Sequence, residues 1–454
     1  MSSERALILR HAGTVLVGQL AAMAFGIADT VIAGRYDDTA LAALSVASAT
    51  YVTVNISLMG ILQALLPVWA ELHGSGNNAA VGRSVRQALY LCLLVAMMGM
   101  WALLSPGPLL AWTRVPAVML QEVRDYLSVV ALSLPAALLF RMYGTLNQAL
   151  GKPKLVTVVQ VLALLVKVPL SWVLVLGVDG WIEPMGLVGC AWATLCIHYL
   201  MLALALWLLR TRHFYAPYRL WQRIEAPHWA TQRNFLRLGV PSGLTIGVDV
   251  TSFTLMSLFI ARLGVVASAS HQIVANMTAL LYMVPLSLSI ASSARISYWK
   301  GSGDARQARL AARTGLQLVM MTALTLVAAL WLSRHAIASW YTQSAAVSAL
   351  AATLLAWLCL YHLADALQVF CVFALRCYRI TVLPLLSYTV LLWGVGLGGG
   401  YALAYRLDLP VGSIWASHSP VAFWQASTLA LLLTASVLLP VLWRAAHRRD
   451  GRAK

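Results

Sequence analysis

Charge is what this sequence has least of. Only 10% of its 454 residues are charged and only 15 are acidic, while 61% are hydrophobic and the mean hydropathy is +0.78. A soluble globular domain carries charge on about a quarter of its residues, so that class is excluded. Cysteine is sparse too: Cys92, Cys190, Cys196, Cys359, Cys371 and Cys377 show no CxxC spacing, which argues against a disulfide framework or a metal cluster and for reduced packing residues. No HExxH, no GxSxG and no nucleophile with a base on an adjacent span is present, which leaves an intramembrane enzyme as the remote alternative. Residues 1–34 lack a small-residue cleavage site after a short apolar core, so the first apolar segment is expected to insert uncleaved.

What the chain does have is long apolar runs. Residues 39–70, 184–209, 263–294 and 409–443 are free of Asp, Glu, Lys and Arg, and each exceeds the roughly 20 residues that cross a bilayer as a helix. Other runs are each interrupted by one charge, at Asp29, Lys167, Asp249 or Asp365, and resume beyond it. The pattern predicts an all-α polytopic membrane protein with twelve spans, near 9–34, 42–72, 85–104, 124–149, 155–177, 185–209, 235–261, 267–297, 308–333, 345–374, 382–405 and 420–444. Barrel strands would be shorter and alternating.

Basic residues test the count. With both termini in the cytoplasm, 24 of the 32 Lys and Arg fall on the cytoplasmic side. Only Arg35, Arg114, Arg124, Arg262, Arg334 and Arg406 fall opposite, and Arg141 and Lys167 lie within spans. One helix more or fewer would scramble this positive-inside partition. The +17 net charge then marks orientation and contact with membrane lipids, with no need of a nucleic acid.

The sequence also repeats. Gly74-Ser75-Gly76 recurs as Gly301-Ser302-Gly303, an offset of 227 that Arg86 and Arg313 share, and each triplet precedes a capping candidate, Asn77 or Asp304. Six spans per half is even, so the repeats run parallel as two pseudo-symmetric six-helix lobes. The expected organisation is an N-lobe over 1–209, a basic, proline-bearing cytoplasmic linker over 210–234 and a C-lobe over 235–454. Parallel repeats of this kind are transporter architecture, with a site near mid-depth reached from either face in turn.

Acidic side chains inside hydrocarbon are too costly to be kept without a use or a partner. At about 1.5 Å per residue, Asp249 lies roughly 18 Å from Arg237 and roughly 20 Å from Arg262, and Asp365 roughly 16 Å from Arg376, so the two acids share mid-depth. Lys167 is similarly central, between Lys154 and Asp179, while Asp29 sits nearer the outer end. Such a pair of carboxylates is suited to take up and release a proton, and equally to hold a sodium ion. Tyr361, His362 and Gln368 share the helical face of Asp365, a polar stripe that either serves the site or merely satisfies itself within the bundle. Gln272 and Asn276, four residues apart, are suited either to line a substrate cavity or to bond between helices, and Gln368 joins them as a substrate-facing candidate. Lys167 reads either as counter-ion to a carboxylate or as a residue of the transport cycle.

The stretch Gly26-Ile27-Ala28-Asp29-Thr30-Val31-Ile32-Ala33-Gly34 resembles the first-span signature of NorM-type multidrug and toxic compound extrusion (MATE) transporters. Further matches run through 65–76, Lys152-Pro153, 186–194, 238–315, Asp365-Ala366-Leu367-Gln368-Val369 and Leu375-Arg376-Cys377-Tyr378, covering nearly the whole chain in order. The resemblance implies a bacterial inner-membrane antiporter, acting as a monomer, that exports small amphipathic organic cations by alternating access. H+ or Na+ would be the coupling ion, with no other cofactor. It implies cation coupling at Asp29 and at Asp249, Tyr361 and Asp365, the latter three being where Na+ would bind, and a substrate-facing Gln272. A lipid-linked saccharide flippase of the wider superfamily is the alternative; it predicts a strongly basic central cavity. The chain departs from the family pattern where Asp249 replaces glutamate, where Lys167 replaces asparagine, and where Cys377 replaces the glycine of an Arg-Gly-Tyr end. Lys167 could neutralise Asp29, which tilts the expectation towards protons.

Overall fold

A computed structural model describes residues 2–107, 117–178, 180–407 and 415–447. Arg114, Asp179, Arg448, Arg449, Arg452 and Lys454, used as charge markers above, lie outside the described residues. Among the described residues twelve helical spans are long and apolar enough to cross a membrane, and the β structure is one isolated bridge between Val178 and Ile182. The first span is α1 (Ser2–Tyr36); the second is broken into α2 (Asp38–Gln63) and α3 (Leu66–Gly74). Then follow α4 (Asn78–Leu104), α5 (Ala117–Ala149), α6 (Pro153–Leu176) and α7 (Leu187–Thr211). The second half holds α8 (Trp229–Ala261), α9 (Val265–Gly301), α10 (Ala305–Tyr341) and α11 (Ala345–Cys377). Its eleventh span is composite, with α12 (Val382–Ser387) and α13 (Gly400–Tyr405) flanking a π-helical Tyr388–Gly399, and α14 (Val421–His447) ends it.

Several helices outrun the apolar stretch that announced them. Hydropathy marks only the hydrocarbon depth, whereas backbone hydrogen bonding continues until something caps it. After the Gly-Ser-Gly triplets that something is the same device twice. Gly76 and Gly303 adopt φ of +74° and +81°, the left-handed turn glycine permits. The Asn77 side chain then accepts from the Ala80 amide, and Asp304 from the Gln307 amide, starting α4 and α10.

By contact the chain forms two compact units, Thr14–Gly243 and Met1–Gly13 with Leu244–Lys454. The chain passes from one to the other inside α1 and inside α8, and both ends of the 210–234 connection belong to the first of them. In the Thr14–Gly243 unit the most deeply buried span is α5, where Leu127, Val130, Ala131, Leu134 and Leu138 are fully covered. In the other it is α11, through Leu354, Leu355, Leu358, Ala366 and Leu375. These are the fourth spans of their halves, so the duplication read in sequence extends to which helix forms the core.

The 210–234 connection is a docked strap. Its 3-10 turn His213–Tyr218 buries Tyr215 and Tyr218, and the Tyr215 hydroxyl donates to Asn147 Oδ1 at 2.6 Å. A Cβ on Gly82 would fall 1.8 Å from the Tyr218 carbonyl oxygen, so only glycine lets the strap approach α4 there. One turn on, Arg86 donates to both Glu225 carboxylate oxygens and to the Arg219 carbonyl, and Gln87 donates to the Ala226 carbonyl while accepting from the His228 amide. In the other unit, Glu4 takes a two-pronged bond from Arg295 at 2.7 and 2.8 Å and a third from the Trp299 indole. This ties the start of the chain to α9.

Candidate ion-coupling site

In the Thr14–Gly243 unit three helices build the surroundings of Asp29. α1 carries the carboxylate; α6 presents Lys167 and Ser171, and α7 presents Cys190 and Thr194, each an i, i+4 pair on one face. The Lys167 Nζ lies 3.0 Å from Asp29 Oδ2 and donates to Thr194 Oγ1 at 2.8 Å. Ser171 Oγ donates to the other carboxylate oxygen at 3.1 Å, and Cys190 Sγ approaches the Asp29 backbone carbonyl at 4.0 Å. The Phe25 ring, one turn before Asp29, faces the ammonium at 5.9 Å. Asp29 is 7% exposed and Lys167 1%. A charge so far from water requires a partner with good geometry and a second bond on its free positions, and both are met here. Lys167 is thus ion-paired with Asp29.

The other unit holds Asp249 on α8 and Asp365 on α11, within electrostatic reach of each other. Gln368 Nε2 donates to Asp365 Oδ1 at 3.0 Å, one turn along the helix. Tyr361 and His362 are buried on the same stripe, Tyr361 edge-on to Trp424 with ring centroids 5.3 Å apart. Trp424 also meets His271, whose Nε2 shares a 2.8 Å hydrogen bond with Ser257. Among the described residues no ammonium or guanidinium pairs with either carboxylate. Several polar atoms around them, His362 Nε2, Gln368 Oε1 and Trp424 Nε1, are buried without a hydrogen-bond partner among the described residues. Buried polar atoms are rarely left so, and two of these three, His362 Nε2 and Gln368 Oε1, belong to the helix that carries Asp365. Gln272 and Asn276 bond to each other at 3.2 Å on an exposed face of α9.

Sequence reasoning passed over several residues of these surroundings. Ser171 follows Lys167 by four residues on one face, so that spacing was available as a signal once Lys167 was singled out. Tyr282 on α9 and Tyr388 at the start of the π-helical stretch lie within electrostatic reach of both Asp249 and Asp365. Nothing in their apolar surroundings announced them. Arg376, read as a cytoplasmic end of its span, is 3% exposed, its guanidinium stacked 4.5 Å from the Phe373 ring centroid with Nε and Nη1 unpartnered among the described residues.

The model of the MatE family matches residues 15–173 and 241–402. The chain belongs to the MatE family. Both matched blocks contain one of the acid sites just described, Asp29 with Lys167 in the first and Asp249 with Asp365 in the second. Among MatE-family relatives, the probable multidrug resistance protein NorM of Aromatoleum aromaticum is 37% identical over 97% of this chain and 94% of its own length. The multidrug resistance protein PmpM of Pseudomonas aeruginosa is 31% identical over 97% and 91%. In three dimensions the eukaryotic MATE transporter AtDTX14 superposes with a TM-score of 0.86 over 98% of this chain and 97% of that one, at 17% identity, a likeness of fold.

Proposed function

We propose that this chain is an antiporter of the bacterial inner membrane that exports amphipathic organic cations, with Asp249 and Asp365 as the coupling-ion site and Tyr361 as its third member. The multidrug resistance names of relatives up to 37% identical support the efflux reading. One observation carries the assignment of the site: among the described residues no lysine or arginine pairs with Asp249 or Asp365, which lie within electrostatic reach of each other, while Asp29 is already paired with Lys167. An unpaired acid pair in an apolar bundle must take a proton or a cation from outside to be stable. Both termini face the cytoplasm, as the distribution of basic residues indicates, and the exported compound is released outward as the ion enters.

A ligand drives a conformational cycle only through unequal affinity for its states. Competition of ion and organic cation for the same two carboxylates supplies that inequality, and the membrane potential adds about 2.3 kcal/mol per charge per 100 mV. Gln272, Asn276 and Gln368 supply amide groups to orient the compound. We take the proton as coupling ion, because the Lys167 ammonium already stands at Asp29, where a sodium ion would otherwise bind. The test is counter-flow from proteoliposomes with pH and sodium gradients imposed separately. Asp365→Asn is expected to abolish gradient-driven movement of a fluorescent organic cation while leaving a folded protein, and unchanged efflux would refute the reading.

A further inference from the structure

We propose that the Lys167 ammonium is a tethered cation that permanently fills the cation place of Asp29, so that Asp249 and Asp365 alone set how many ions cross per cycle. This rests on the functional reading above and adds to it. The surroundings of the ammonium are what a small cation would ask for: a carboxylate oxygen at 3.0 Å, a hydroxyl oxygen at 2.8 Å and an aromatic face. Ser171 occupies the second carboxylate oxygen, so the acid has little left to offer. A free cation could enter only by displacing the ammonium, which would then be stranded in a buried place on a side chain that is 1% exposed. A proton arriving at Asp29 would break the same pair. The pair is therefore shut to both ions in the state described. Other titratable groups near it, His198, Cys190 and Tyr126, bring no second carboxylate.

The test compares removal of one charge with removal of both. Asp29→Asn strands the ammonium and is expected to lower gradient-driven efflux more than roughly tenfold. Asp29→Asn with Lys167→Met removes the pair as a unit and is expected to restore efflux to within roughly threefold of the unaltered protein, at the same ion-to-drug ratio. A double variant that is monodisperse and binds the fluorescent cation, yet has lost gradient dependence or moves one ion fewer per cycle, would overturn the proposal. A measurement on the unaltered protein decides the matter should the double variant not fold. Dicyclohexylcarbodiimide adds to protonated carboxyls in apolar surroundings and leaves a mass tag. Tagging of Asp365 without Asp29 is expected; tagging of Asp29 to the same extent as Asp365 would overturn it. Absence of gradient-driven efflux in the unaltered protein would instead bring down the functional reading itself, so the two failures are distinct.

Discussion

The two halves of this chain solve the problem of a carboxylate in hydrocarbon in opposite ways. Around Asp29 a lysine and two hydroxyls close the site, each oxygen with its own donor. Around Asp249 and Asp365 there are two acids, one hydrogen bond from the Gln368 amide and the Tyr361–Trp424 ring contact, with several buried polar atoms unpartnered among the described residues. Duplicated halves thus need not keep duplicated chemistry. The Asp29 pair is neutral as built, and on the functional reading proposed above the Asp249 and Asp365 pair becomes neutral only with a guest; a salt that closes itself would lend rigidity, and an acid pair that cannot do so would lend exchange.

The sharpest way to break the contrast is to make the second site resemble the first. Asp249→Lys places an ammonium beside Asp365 and should convert an exchanging pair into a closed salt. The expected result is a folded protein in which gradient-driven efflux falls by more than about a hundredfold, because a coupling ion then has no vacant carboxylate to occupy. Efflux assays at equal reconstituted amounts check this. Retained coupling would mean that the ion does not use these two acids.

The reverse conversion is milder. Lys167→Asn leaves Asp29 with the Ser171 and Thr194 hydroxyls and no resident cation, an oxygen set open to a proton or a sodium ion. Breaking the buried pair costs about 3 kcal/mol of stability before any ion binds. Added cation should recover part of that in a concentration-dependent way, as any ligand of the folded state does. Melting temperature in detergent, titrated with sodium chloride against choline chloride and repeated at several pH values, is the measurement. The unaltered protein should show no such response from this site.

How legible were these sites? The three acids, the lysine and the twelve helices stand out in one sequence because a charge amid apolar residues has no background to hide in. The face shared by Tyr361, His362, Asp365 and Gln368 followed from helical spacing alone. What stayed hidden depends on which helices neighbour each other. Thr194 meets Lys167 across 27 positions, and Tyr282 and Tyr388 reach the acid pair from two further helices. Hydroxyl-bearing residues in an apolar run look the same whether they bond to their own helix, as Thr145 and Thr434 do, or to a neighbour. The burial of Arg376 was missed for a related reason: a lone arginine at a helix end resembles an interfacial anchor until the surrounding helices are known.

The smallest expected effect concerns two arginines that the duplication equates. Arg86 and Arg313 stand 227 positions apart, but Arg86 is buried beneath the strap and bonded to Glu225 and the Arg219 carbonyl, whereas Arg313 is exposed and rests over the Trp443 ring at 5.9 Å. Removing Arg86 therefore takes away hydrogen bonds that no neighbour replaces, and removing Arg313 takes away a surface contact. Arg86→Ala should speed tryptic cleavage after Arg219 and Arg223 in the strap, and Arg313→Ala should leave it unchanged. Glu225 sharpens the comparison through pH. Its hydrogen bonds from Arg86 hold its carboxyl down, to about 2, below the ordinary carboxylate range. A depressed acid stabilises the folded form above its ordinary value and loses that contribution only as pH falls through the lowered one. Strap protection should thus be constant between about pH 5 and 8. Glu225→Gln should raise the cleavage rate by about fivefold at most, the ceiling for a half-exposed pair. A strap that loosened between those pH values would show that some other titrating group, and not Glu225, holds it to α4.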